Sequence, residues 1–221
     1  MKEHLNCEIR QQNCRIFIST ILAIRLRSVK GTDIGARLLL RVRIYNHTDP
    51  DRKDSIMNIQ DILLIYEYNY WANKKILAAS ANVTEEQFLA PASFPYGGLH
   101  GTLLHTLDSE WGWRALFQKI ETASDLLPVE YPTLSSIETR WQEEETAMRA
   151  YLAGLSDQDM ESHLRYTIDG GIQRDRVLWH ALLHVVNHGT QHRSEAAALL
   201  TDYGHSPGEL DFTVFLNEFR K

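Results

Sequence analysis

The chain has 221 residues, 43% of them hydrophobic, and a formal net charge of −6; that length and apolar content suffice for one packed domain and exclude a chain disordered over most of its length. The acidic balance excludes a protein that coats nucleic acid through its overall field. Both cysteines, Cys7 and Cys14, lie near the start, so everything after them lacks a disulfide framework and a thiolate metal site, and a reducing cytoplasm is the simplest setting.

Residues 1–56 differ in character from the rest. They carry 11 Lys and Arg against 6 Asp and Glu, whereas the remainder carries 12 against 23 and holds all five tryptophans. The apolar run IFISTILAI at 16–24 is far short of the roughly 20 residues that cross a bilayer as a helix. Acidic Glu3 and Glu8 and the lack of a small-residue cleavage site before Arg25 speak against a signal peptide. We read 1–56 as an N-terminal extension outside the fold, with Met57 the natural start; a genuine but loosely attached arm is the alternative.

From Met57 the pattern becomes regular. Asn58 is placed to cap a helix running to about residue 79, with Asp61 in its first turn and Ile59, Ile62, Leu63, Tyr66, Tyr70 and Ile76 at helical spacing. Thr84-Glu-Glu-Gln87 has the form of a capping box, and 91–98 is a loop. A second helix, Leu99 to about Lys119, is apolar around most of its circumference and therefore central. Pro128 and Pro132 precede a third, Leu134 to about Ala153, with Ile137, Trp141, Met148 and Leu152 on one side. Asp169-Gly170 between two short segments, the first alternating Leu164, Tyr166 and Ile168, predicts a hairpin. A fourth long helix spans about Val177 to Tyr203, stopped by Gly204 and Pro207, and residues 209–219 suit a short terminal helix. The expected fold is all-α, a four-helix bundle with a small β-hairpin between helices 3 and 4.

The fourth helix carries His180, His184, His188 and His192, each separated by four residues. One step of four rises roughly 6 Å and turns about 40° further around the axis, so the four cannot share one ion. Taking His188 as zero, the apolar residues from Val177 to Leu200 fall between roughly −20° and +120°. His188 and His192 lie within that arc at about 0° and 40°, His184 sits at its edge and His180 outside it. Gly189 and Ala196 leave room beside the pair for a helix or an ion.

Two imidazoles seldom hold zinc alone, so a third ligand is expected from a facing helix. His105 is the strongest candidate, with Gly101, Ser109 and Gly112 on its face; a core histidine bonded to a carbonyl or carboxylate remains the alternative. Glu195 is placed either to orient His188 or His192 or to pair with an arginine. Glu110 is a poor general base, because a carboxylate five residues along a helix points largely away from His105. His100, His163 and His205 carry no special signal.

The segments Leu64-Ile-Tyr-Glu-Tyr-Asn-Tyr-Trp-Ala-Asn73, Gly101-Thr-Leu-Leu-His105 with Glu110-Trp-Gly-Trp113, and Asn187-His-Gly-Thr-Gln-His-Arg193 resemble the DinB-like family of damage-inducible bacterial proteins, also called DinB/YfiT metalloenzymes. The resemblance covers residues 57–218. It implies a four-helix bundle in which His105, His188 and His192 bind one divalent metal, zinc or nickel. It further implies membership of a group that includes S-transferases and isomerases using low-molecular-weight thiols, and frequent homodimers.

The expected function is a metal-dependent transferase or hydrolase acting on a small electrophilic molecule, with a thiol supplied from outside because the domain has no cysteine. The rival reading is a non-catalytic metal- or ligand-binding stress-response protein. DNA binding fits poorly with a main domain this acidic, and no membrane partner is expected. The zincin His-Glu-x-x-His, Walker and Gly-x-Ser-x-Gly motifs are all missing from the sequence.

Overall fold

Asn58 caps the first described helix as its sequence position suggests. Its side chain accepts from the backbone N–H of Gln60 and Asp61, and Asp61 bonds back to the Asn58 N–H, satisfying donors that helix geometry leaves unpaired. The computed structural model describes residues 57–121 and 124–219; the expectations for residues 1–56 lie outside that range. The elements in chain order are α1 (Ile59–Ser80), α2 (Glu85–Leu89), α3 (Leu99–Phe117), α4 (Leu134–Ala153), α5 (Asp157–Met160), β1 (His163–Ile168), β2 (Ile172–Val177), α6 (Leu178–Asp202) and α7 (Phe212–Phe219).

The four long helices α1, α3, α4 and α6 form the bundle. The main packed pairs are α3 with α6, α1 with α6, α3 with α4, and α1 with α4, so α1 and α3 face each other diagonally although they are consecutive long helices. Side-chain pairs give the directions. His105 meets His188 while Trp113 meets His184, so α3 and α6 run antiparallel; Glu67 pairs with Arg149 and Lys74 with Glu145, so α1 and α4 do too. β1 and β2 pair antiparallel from His163 opposite Val177 to Ile168 opposite Ile172. The turn places Gly170 and Gly171 at φ of 78° and 73°, a region that glycine enters without steric cost. The all-α bundle with a hairpin between its third and fourth helices is therefore as expected.

Two apolar clusters fill the bundle. One gathers Ile62, Tyr66, Met148, Leu152, Leu182 and Val185; the other gathers Ile76, Leu103, Leu107, Ile137, Trp141 and Leu200. Between their levels α3 and α4 are joined by a buried ion pair. Arg114 Nη2 donates to Glu144 Oε2 at 2.9 Å, Arg114 Nε donates to Oε1, and Arg140 approaches the same carboxylate at 3.3 Å. Glu144 is 1% exposed, so its charge depends on these partners. Removing one partner of a buried pair costs about 3–5 kcal/mol. Arg114→Ala is expected to lower the urea-unfolding free energy by about 3 kcal/mol; a loss under about 1 kcal/mol would mean that Arg140 alone neutralises Glu144.

Candidate metal centre

Directly beside the histidines lies a buried polar layer that joins all four long helices. Asn69 Nδ2 and Asn73 Nδ2 from α1 donate to Glu110 Oε1 of α3 at 2.8 and 3.0 Å, and Trp141 Nε1 of α4 donates to Oε2 at 2.8 Å. Arg193 of α6 completes the set, its Nη1 donating to Asn69 Oδ1 and Asn73 Oδ1 at 2.5 and 2.8 Å. Burial raises the Glu110 carboxyl above its ordinary value, while Asn69, Asn73, Trp141 and Arg193 all act in the opposite direction. Gly189 makes the layer possible: a Cβ there would lie 2.7 Å from Arg193 Nη1 and 3.1 Å from Asn69 Oδ1.

Arg193 follows His192, and anchoring the guanidinium sets where the histidine points. Among the described residues His105, His188 and His192 each offer a ring nitrogen within 4.8 Å of the others. His188 Nε2 lies 3.2 Å from His192 Nε2 and 3.4 Å from His105 Nε2. His192 is 3% exposed, and its Nδ1 lies 2.8 Å from Glu195 Oε2. A carboxylate only accepts, so Nδ1 carries the proton and the Nε2 lone pair faces the other two rings. Burial, followed by the neighbouring His192 and His184, pushes His188 down to about 4, so it is neutral, with a lone pair to offer, at neutral pH.

Tyr96 covers this cluster. Its ring stacks on His105 at 3.4 Å between centroids and meets His192 edge-on at 5.3 Å. The loop reaches that place because Gly101 has no side chain: a Cβ there would sit 2.0 Å from the Tyr96 carbonyl oxygen. No pattern in the sequence singles out Tyr96, since loop residues have no periodicity that assigns them a face.

The other histidines go elsewhere. His184 packs against Trp113 at 5.0 Å and His180 against Trp179 at 4.0 Å; His100 bonds the Tyr131 carbonyl and His163 pairs with Asp175. Glu110 faces α1 and α4, as its position along α3 predicts. Beside Gly189 sit Arg193 and, from the neighbouring helix α1, Asn69, and beside Gly101 the Tyr96 backbone, whereas Ser109 and Gly112 line a cavity.

A four-helix bundle carrying a clustered histidine triad on two facing helices defines an all-α protein with a donor set suited to a metal. The family model described as DinB family matches residues 56–219, and the chain belongs to that family. It is similar to Protein DinB of Bacillus subtilis (strain 168), with 27% identity over 162 residues that span 69% of this chain and 91% of the relative.

In Glu110→Gln an amide nitrogen must face one of three N–H donors. The substitution is expected to lower stability by about 1–3 kcal/mol, measured by denaturant unfolding. A neutral effect would show that the layer tolerates an unsatisfied donor.

Proposed function

We propose that the chain is a metal-dependent enzyme in which His105, His188 and His192 hold one divalent ion, zinc or nickel, through their Nε2 atoms. The observation that carries this reading is the convergence of three Nε2 atoms. Two of the three spacings, 3.2 and 3.4 Å, are close to the roughly 3.3 Å edge of a tetrahedron with bonds of 2.0–2.1 Å, and ligand atoms of all three residues lie within 4.8 Å of one another. Lone pairs that face one another need a cation or a proton between them, and His188 is poorly basic.

Three protein ligands leave a position for substrate, and a bound ion would supply Lewis acidity toward a carbonyl, water or thiol. The chain's own residues do the rest. Glu195 keeps His192 in the Nδ1–H tautomer, Tyr96 shields His105 from solvent, and Ser109 Oγ borders the centre 3.4 Å from His105 Nε2. Glu195 is engaged by His192, and Glu110 lies in the polar layer, so neither supplies a general base. With no cysteine after Cys14, a nucleophilic thiol comes from a low-molecular-weight cosubstrate, and the reaction is a transfer or hydrolysis at a small electrophilic molecule. A homodimer in the cytoplasm is the proposed setting. Among the described residues no helix is long and apolar enough to cross a membrane. The rival, a metal- or ligand-binding stress-response protein without turnover, draws on Tyr96, whose ring narrows the approach to His105.

Elemental analysis of the purified protein is expected to find about one zinc or nickel per chain, and His188→Ala is expected to lose it. Equal metal content in the two proteins would remove the reading. Glu195→Gln is expected to weaken metal affinity about 10–100-fold in a competition titration with a chelator, with no change in helical content. Unaltered affinity would show that Glu195 does not tune His192.

A further inference from the structure

One face of α3 continues past His105 through Asp108, Ser109, Gly112, Trp113 and Leu116, the i+3, i+4, i+7, i+8 and i+11 positions that a helix aligns. Beyond the triad this face borders a cavity of about 410 Å³, within the usual size range of small-ligand sites. Trp113 and Tyr166 form its aromatic corner, with rings 5.7 Å apart and inclined at 76°. Asp108, whose Oδ1 also accepts from the Leu126 N–H at 2.8 Å, and Asp125 line it, and no lysine or arginine is among its described lining residues. Arg114 and Arg140 do lie over the Trp111 ring, at 5.0 and 5.1 Å, but both are paired with Glu144.

Gly112 is the second observation. A glycine inside a helix costs roughly 1 kcal/mol relative to alanine, and a close neighbour is the usual reason to keep one. Here a Cβ would meet nothing within 4 Å. Backbone conformation does not require it either, because Gly112 lies within α3 and is not among the positive-φ glycines. Gly112 is exposed and lines the cavity, so its missing side chain leaves that stretch of the wall open. Ser109 joins that wall to the triad, since its Oγ approaches His105 Nε2 at 3.4 Å, and Trp113 separates the cavity from His184.

We propose that this cavity is a binding site for a small organic cation, an ammonium group with an apolar body, seated over Gly112 against Trp113 and Tyr166. Aromatic faces attract a cation through their negative quadrupole, and Asp108 and Asp125 add attraction that would repel a carboxylate ligand of the same size. That the bound molecule is a substrate rests on the proposed metal centre; the cation selectivity does not.

The test is calorimetric titration of the full chain with benzyltrimethylammonium, phenylacetate and benzyl alcohol. Benzyltrimethylammonium is expected to bind about tenfold or more tightly than either of the others. Gly112→Leu, which adds bulk to the cavity wall from a position where a Cβ meets nothing within 4 Å, is expected to abolish that preference while leaving metal content and thermal midpoint intact. Gly112→Ala, with a smaller side chain, should have an intermediate effect. Phenylacetate or benzyl alcohol binding as tightly as the cation would overturn the proposal, as would a preference that survives in Gly112→Leu. His188→Ala is expected to keep the cation preference, so loss of the metal reading and loss of this one give different results.

Discussion

Glu110 is the residue on which the arrangement of the bundle depends. Its carboxylate is buried and receives N–H groups from α1 and α4, and the same two asparagines that serve it also receive Arg193 from α6. A carboxylate out of water is costly unless its oxygens are satisfied, so sliding any one of the four helices by a turn would strand donors or acceptors. The flanking apolar clusters have no such demand. Leucine and isoleucine tolerate small shifts, whereas a closed polar layer accepts one register.

That register is what assembles the candidate metal centre. Arg193 ties α6 to α1 through its guanidinium, Gly189 lets it fold back along its own helix, and His192, one residue earlier, is turned toward α3. Glu110 is five residues beyond His105 on α3, so the contact that locks α3 against α1 and α4 also sets the height at which His105 faces α6. The polar layer and the triad are thus neighbouring levels of one bundle. Glu195, a turn beyond His192 on the partly buried side, then decides the tautomer.

Much of the fold was legible because helix periodicity is a local property. The N-cap at Asn58, the capping box at Thr84, the limits of α4 from Leu134 to Ala153, the Asp-Gly turn of the hairpin and the division of the histidine ladder all followed from spacing within one segment. His105 was reachable as a candidate by its place on an almost wholly apolar helix, and the family resemblance pointed to the same three histidines. Tyr96 was not reachable, since its position depends on a loop crossing at Gly101. Nor was the use of Asn69 and Asn73, which on the sequence are only polar residues in a tyrosine-rich helix.

The sequence by itself determined the long helices, the caps at Asn58 and Thr84 and which of the four ladder histidines lie on a buried face, because each depends on residues three or four apart. Tertiary structure alone decided which helices are neighbours, that Gly189 accommodates an arginine where an ion was also conceivable, and that Gly112 opens onto a cavity while Gly101 is blocked by backbone. Glycines of equal appearance on one helix acquired opposite roles because space beside a helix is set by whatever packs there, and that comes from chain distant in sequence.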